Sequence, residues 1–153
     1  MPDVSTPTSQ RVAVLLAAGF EEADALICVQ RLRESGIPVS LIGMTAGLVN
    51  SRYGIAIKPD ISLTQALAVN QTFRIVLIPG GEQSTLRLLT DPRVHRVISQ
   101  AATSGGLLAA MATAEKTLFQ AGIHEMIAYD HFLHQGDTQL ESFSQGLVDL
   151  LLN

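Results

Sequence analysis

Arg11-Val-Ala-Val-Leu-Leu-Ala-Ala-Gly-Phe-Glu-Glu-Ala-Asp24 is the stretch from which the architecture can be read outward. Val12 to Ala17 is an unbroken apolar run of strand length, the pattern of a strand in a sheet covered on both faces, where neither side meets water. Gly19 breaks the run. Glu21 and Glu22 then put negative charge where a helix N-terminus is electropositive. Ala25, Leu26, Val29 and Leu32 recur at helical spacing, and Gly36 stands where a C-cap belongs. A buried strand, a glycine turn and an amphipathic helix make the repeating unit of a parallel sheet.

The same unit recurs along the chain. Pro38 to Gly43 reads as a second strand, Thr45 to Ile57 as a hairpin, Pro59-Asp60 as a turn and Leu63 to Val69 as a short helix. Arg74 to Pro79 is the next buried strand, closed by Gly80-Gly81. Thr90-Asp91-Pro92 starts a helix with a capping residue and a first-turn proline, and Val94, Val97, Ile98 and Ala101 give it one apolar face. Ser104-Gly105-Gly106 ends that helix. Leu107 to Met111 makes a further strand running into Ala112 to Leu118, and Leu140 to Leu152 reads as a final helix. The expected architecture is α/β, a three-layer sandwich with a mostly parallel sheet between helices. Residues 1–10 read as a mobile tail without the basic n-region of a signal peptide, and 11–153 as one domain.

Composition narrows the function classes. In 153 residues, 47% are hydrophobic and 16% charged, with a net charge of −4, and the mean hydropathy is +0.30. The longest apolar run, Val12 to Ala18, is far too short to cross a bilayer. An acidic chain lacks the basic stripe that displaces counterions from phosphates, and Arg87, Arg93 and Arg96 read as a solvated helix face, so no nucleic-acid partner is expected. One cysteine, Cys28, excludes an intramolecular disulfide and a multi-thiolate zinc site, and a cytoplasmic setting is expected. His124, His131 and His134 with Glu125, Asp130 and Asp137 fit no standard metal spacing and read as a polar loop. No metal and no cofactor are expected.

In parallel sheets ligands bind beyond the carboxyl ends of the strands. That selects Gly19 to Asp24, Pro79 to Ser84 and Met111 to Glu115. Four segments there and nearby carry a family pattern: Ala17-Ala-Gly-Phe-Glu-Glu-Ala-Asp24, Ser51-Arg52 with Pro59-Asp60, Ile78-Pro-Gly-Gly81 and Gly106-Leu-Leu-Ala-Ala-Met111. In order and spacing, from Arg11 to about Ala114, they resemble the ThiJ/PfpI superfamily. That group holds the Parkinson-associated protein deglycase, glyoxalase-type lyases, intracellular-protease-like proteins and stress chaperones. The resemblance implies a flavodoxin-like or glutamine amidotransferase-like fold and a homodimer.

Active members carry a cysteine on a sharp strand-to-helix turn with a carboxylic acid beside it, the thiolate being the nucleophile. The position matching that cysteine is Ala112, followed by Thr113 and by Ala114 where glycine is usual, so the turn is expected to have lost its backbone freedom. Asp24 matches the family's glutamic acid but is one methylene shorter; it is a candidate base, or an ordinary first-turn helix acid. Gly80 and Gly81 match the oxyanion-side turn, or simply a turn needing close approach. With Gly19, Ala112 and Thr113 these residues form the expected ligand pocket. Thr113 is a weak substitute nucleophile, and Cys28, inside a helical run, reads as an inert packed thiol. Arg52 matches a position near the family's dimer interface, or is a surface arginine. His131 stands at about the family's distance for a histidine near the pocket. Gly136-Asp137-Thr138 with Phe143 resembles the family's last turn and helix, reached after far fewer residues than usual.

Three functions follow as expectations. The first is a non-catalytic relative, a dimeric scaffold or a domain binding a small molecule or protein in the pocket. The second is a cysteine-independent lyase or hydrolase acting on small carbonyl compounds with Asp24 as base. The third, a sensor domain acting on DNA, would need a partner, because no helix-turn-helix segment is present.

Overall fold

The structure, a computed structural model, describes residues 10–123 and 129–153. The expected mobile tail and the candidates His124 and Glu125 lie outside the described residues, apart from Gln10. β1 (Val12–Leu16) leads through the Gly19 turn into α1 (Glu22–Glu34), which returns to β2 (Val39–Gly43). A small hairpin, β3 (Val49–Asn50) and β4 (Ala56–Ile57), precedes β5 (Ile61–Ser62) and α2 (Leu63–Ala68). Then come β6 (Ile75–Ile78), α3 (Glu82–Leu89), α4 (Pro92–Thr103), β7 (Leu107–Ala110) and α5 (Thr113–Gln120). A 3₁₀ turn (Tyr129–His131), β8 (Phe132–His134) and α6 (Leu140–Leu152) complete the chain.

Six strands form one sheet in the order β5-β2-β1-β6-β7-β8. Every neighbouring pair is parallel, with Val12 opposite both Val39 and Ile75, Ile75 opposite Leu107, and Leu108 opposite Phe132. Side-chain alternation along β1 divides the core. Ala13 and Leu15 pack with α2, α3, α4 and α5 residues such as Ala66, Leu88, Val97 and Leu118. Val12, Val14 and Leu16 pack on the other side with Ala25, Val29 and Leu32 of α1 and Phe143, Leu147 and Leu151 of α6. Both faces are therefore covered, as the apolar run implied. Leu15 and Leu16 are fully buried, each worth roughly 1.5–3 kcal/mol against exposure.

The boundaries follow local chemistry. Asp91 caps α4 by accepting from Arg93 N at 2.9 Å, with Pro92 in the first turn. Ser62 and Gln65 make a reciprocal capping box on α2. Gly36, with φ +79°, ends α1 as expected. Three elements carry no clear signal in the sequence: β5, α3 and β8. α3 starts from Gly81, which offers no capping side chain. β8 is three residues long between polar neighbours, too short for any period to show. Because β2 flanks β1 on one side and β6 on the other, the chain order reverses at β1, and a crevice opens beyond the carboxyl ends of β1 and β6.

Candidate functional site

Three strand-to-helix turns meet at that crevice. After β1, Gly19 takes φ +95°, and its amide donates to Asn50 O at 3.0 Å, tying the turn to the hairpin. After β6, Gly81 takes φ +112°. A Cβ there would lie 2.5 Å from Gly19 O and 3.1 Å from Phe20 Cα, so the two turns touch backbone to backbone and only glycine fits. Gly80 is crowded by side chains rather than by backbone. A Cβ on it would meet Asp24 Oδ2 at 2.6 Å and Ala112 Cβ at 3.0 Å.

After β7 comes the elbow. Ala112 has φ +44° and ψ −124°, outside the basins open to an L-residue. Such a residue stores about 1–3 kcal/mol and persists only where its surroundings over-determine it. Here they do. Met111 N donates to Ile78 O at 3.1 Å, Ala112 N to Gln135 Oε1 at 2.7 Å, and Ala114 N to Met111 O at 2.9 Å. The sharp elbow is therefore kept with alanine, not glycine, at position 114. The neighbours, rather than a glycine at 114, hold it, since Ala114 sits fully buried in the first turn of α5.

Two further backbone donors of the crevice are engaged by side chains. Gly80 N donates to Asp24 Oδ2 at 2.8 Å, and Gly81 N donates to Thr113 Oγ1 at 2.9 Å. Asp24 is buried, and burial raises its pKa above the usual carboxylate value. The Gly80 amide opposes that shift and the nearby Glu21 carboxylate adds to it. Asp24 and Ala112 thus lie against the same glycine, so the shorter acid still reaches the elbow's wall. Cys28 sits on α1 below Asp24, fully buried, its Sγ 3.8 Å from Met111 Sδ. Burial, with the Asp24 carboxylate adding to it, pushes its thiol up to about 12.

The crevice encloses a cavity of about 450 Å³ lined by Gly19, Glu21, Arg52, Gly81, Glu82, Gln83 and Thr113. A second hollow of about 520 Å³ lies on the α5 side, where Ala112, Glu115, Lys116, Phe119 and Gln120 meet. Of the expected pocket, Gly19, Gly81 and Thr113 line the first space and Ala112 the second, while Asp24 and Gly80 stand behind them as the wall. Arg52 is on the cavity rim, ion-paired with Glu21 and 5.3 Å from the centre of the Tyr53 ring. Beside it, Ser51 Oγ donates to Glu22 Oε2 at 2.5 Å, which lowers the Glu22 pKa.

The histidines are rearranged relative to expectation. His131 precedes β8, level with the start of β7, and its Nδ1 lies 2.9 Å from Gly106 O. That is the opposite end of the sheet from Ala112, so His131 is not the pocket histidine. Parallel register puts His134 opposite Ala110 at the elbow end, with Nδ1 2.5 Å from Glu115 Oε2. Asp130 and Asp137 are exposed, and among the described residues no group of three His, Cys, Asp or Glu converges on a point. Sequence reasoning missed Gln135 and the His134–Glu115 pair because both depend on β8; reading a strand there would have placed Gln135 beside the elbow. Among the described residues no helix is long and apolar enough to cross a membrane.

Known proteins share this fold. A DJ-1 superfamily protein from Salmonella typhimurium, solved as an alanine-for-cysteine mutant, superposes with a TM-score of 0.79 over 94% of this chain and 90% of its own at 24% identity. Drosophila melanogaster DJ-1beta gives 0.77 over 94% and 90% at 22% identity. In sequence, protein dj-1beta of Drosophila melanogaster is 31% identical over 75% of this chain and 61% of its own length. The Parkinson disease protein 7 homolog of Danio rerio is 32% identical over 74% and 60%. The chain thus spans about three fifths of the length of these curated relatives. The family model for DJ-1/PfpI covers residues 10–132, from the strand before the Gly19 turn through the elbow to β8. By that match the chain belongs to the DJ-1/PfpI family.

Proposed function

We propose that this chain is a non-catalytic DJ-1/PfpI domain that acts by binding, as a homodimeric scaffold or through a small polar molecule or protein partner at the crevice. One observation carries the reading: the strained elbow is intact, and its apex is the methyl group of Ala112. A methyl cannot attack a carbonyl, and Cys28, the one thiol in the chain, is buried and held protonated. Thr113 Oγ1 accepts from Gly81 N, and among the described residues no base is hydrogen-bonded to it. The dimer half is supported by exposed Leu26 on α1 and exposed Tyr53 and Ile55 on the hairpin turn, which is bound to the start of α1 through Ser51 and Arg52. A buried lone thiol without a disulfide suits a cytoplasmic setting.

Methylglyoxal consumption by the native chain, beside its Ala112→Cys variant, tests this. The native chain is expected to be inert, and turnover gained by the variant would mark the pocket as still competent around a restored thiol. The second reading, a lyase or hydrolase using Asp24 as base, is favoured by that acid's burial and raised pKa. It requires turnover by the native chain and its loss in Asp24→Asn. A monomer at high concentration in sedimentation would count against the scaffold role.

A further inference from the structure

The elbow poses a problem that the missing nucleophile sharpens. A strained turn that aims a reactive side chain has a use for its strain, but Ala112 aims a methyl. Something must hold the conformation without that benefit, and the contacts single out one side chain. Gln135 follows β8 directly, and its amide donates to Ala110 O at 3.2 Å, extending the β7–β8 ladder by one bond. Its side-chain Oε1 accepts from Ala112 N at 2.7 Å, while its Nε2 donates to Thr138 O at 3.1 Å. Thr138 N in turn donates to Gln135 O at 2.9 Å. Both ends of the carboxamide are therefore fixed, one on the elbow and one on the turn that leads to α6. A carbonyl oxygen seated on the Ala112 amide is also where a ligand's carbonyl or carboxylate oxygen would have to sit to use that donor.

We propose that Gln135 is a latch on the elbow: its carboxamide holds Ala112 in its positive-φ conformation and shuts the Ala112 N–H against ligand oxygens. A ligand that uses the Ala112 N–H must displace Gln135; one that leaves Gln135 in place is confined to the cavity formed by Gly19, Arg52 and Gln83 or to the hollow beside α5. Occupancy of this one donor is independent of whether the protein turns anything over.

Hydrogen exchange of the Ala112 amide in the full chain is the direct measurement, read against Val14 in the central strand. Gln135→Met keeps the length and removes the acceptor, so exchange at Ala112 should quicken at least tenfold with Val14 unchanged. Gln135→Glu keeps an acceptor oxygen and should retain the native protection. Equal protection of Ala112 in native and Met chains overturns the latch, and so does a loss shared equally by Val14, which reports general loosening. A second arm asks about exclusion. Acetate titrated into Gln135→Ala should move the Ala112 amide resonance saturably while leaving the native resonance in place. A native resonance that moves as readily would show that the seat is open. Failure of the non-catalytic reading would instead surface as methylglyoxal turnover, with Ala112 exchange untouched.

Discussion

The turns after β6 and after β7 occupy neighbouring places at the same end of the sheet, and both require positive φ. At Gly81 that requirement is met without strain by a residue lacking Cβ, and the space is so tight that any Cβ would collide with Gly19 O at 2.5 Å. At Ala112 the same half of conformational space is forced on a residue that resists it. The difference teaches where each turn gets its shape. Gly81 is shaped by sterics that leave one residue type, whereas Ala112 is shaped by hydrogen bonds to Gln135 and Ile78 that overrule residue preference. Asn70, the other non-glycine with positive φ among the described residues, takes φ +52° in a turn after α2, where asparagine tolerates it.

The comparison breaks hardest at Gly81. Gly81→Ala combines a positive φ with a backbone collision that no side chain can relieve, and should cost roughly 3–5 kcal/mol in chemical denaturation. Ala112→Gly tests the other turn with the opposite sign. Relief of the stored strain, about 1–3 kcal/mol, exceeds the roughly 0.5–1 kcal/mol that glycine's unfolded-state freedom takes back. The variant should therefore be more stable by about 1 kcal/mol. A loss at Ala112→Gly would mean that the elbow carries no strain worth relieving.

A smaller effect sharpens the view of the wall between the two turns. Asp24 is buried between them, and its folded pKa lies above the unfolded value, so the folded state holds the proton more tightly. Protons bound in the native state exceed those in the unfolded state across that interval, so stability falls as pH rises through it. Asp24→Asn keeps an acceptor for Gly80 N and removes the buried charge. It should be more stable than the native chain at pH 7, with the gap closing as pH falls below the ordinary aspartate value. A gap that is constant with pH would show that Asp24 titrates as it does unfolded.

How far the molecule could be read from its residues also divides at the elbow. β1, α1, β2, β6, α4 and β7 announce themselves because their apolar runs are long enough for a period and their ends carry Gly36, Asp91-Pro92 and Gly105. Gly19, Gly80 and Gly81 were legible as turn residues, and Ala112 as the residue that opens the last strand-to-helix turn. What could not be read was the set of partners across the chain. Gln135 reaches Ala112 only through the β7–β8 pairing, and three residues of β8 give too little pattern to reveal it. The positive φ at Ala112 was hidden for the same reason, since a hydrogen-bond network overrode local preference there. His131 misled because distance along the chain stood in for position, and the strand it precedes carries it to the far end of the sheet.

The smallest effect comes from the thiol beneath this wall, and it decides whether the crevice hides a nucleophile. Cys28 lies one helical turn from Asp24 and touches Met111, the residue before the elbow, so it is the only sulfhydryl that could reach the apex from below. Alkylation proceeds through the thiolate. With its thiol pushed up to about 12 and its surface fully buried, Cys28 should resist iodoacetamide at pH 8 in the native chain. Labelling should appear only under denaturing conditions, with mass spectrometry reading the single adduct. The Ala112→Cys variant then offers an internal contrast. Its introduced thiol stands at the exposed head of α5, where the helix N-terminus favours a thiolate, and should label rapidly while Cys28 stays silent. Native labelling of Cys28 at a comparable rate would mean that α1 opens readily beneath the elbow, and the non-catalytic reading would lose its claim that no thiol can act there.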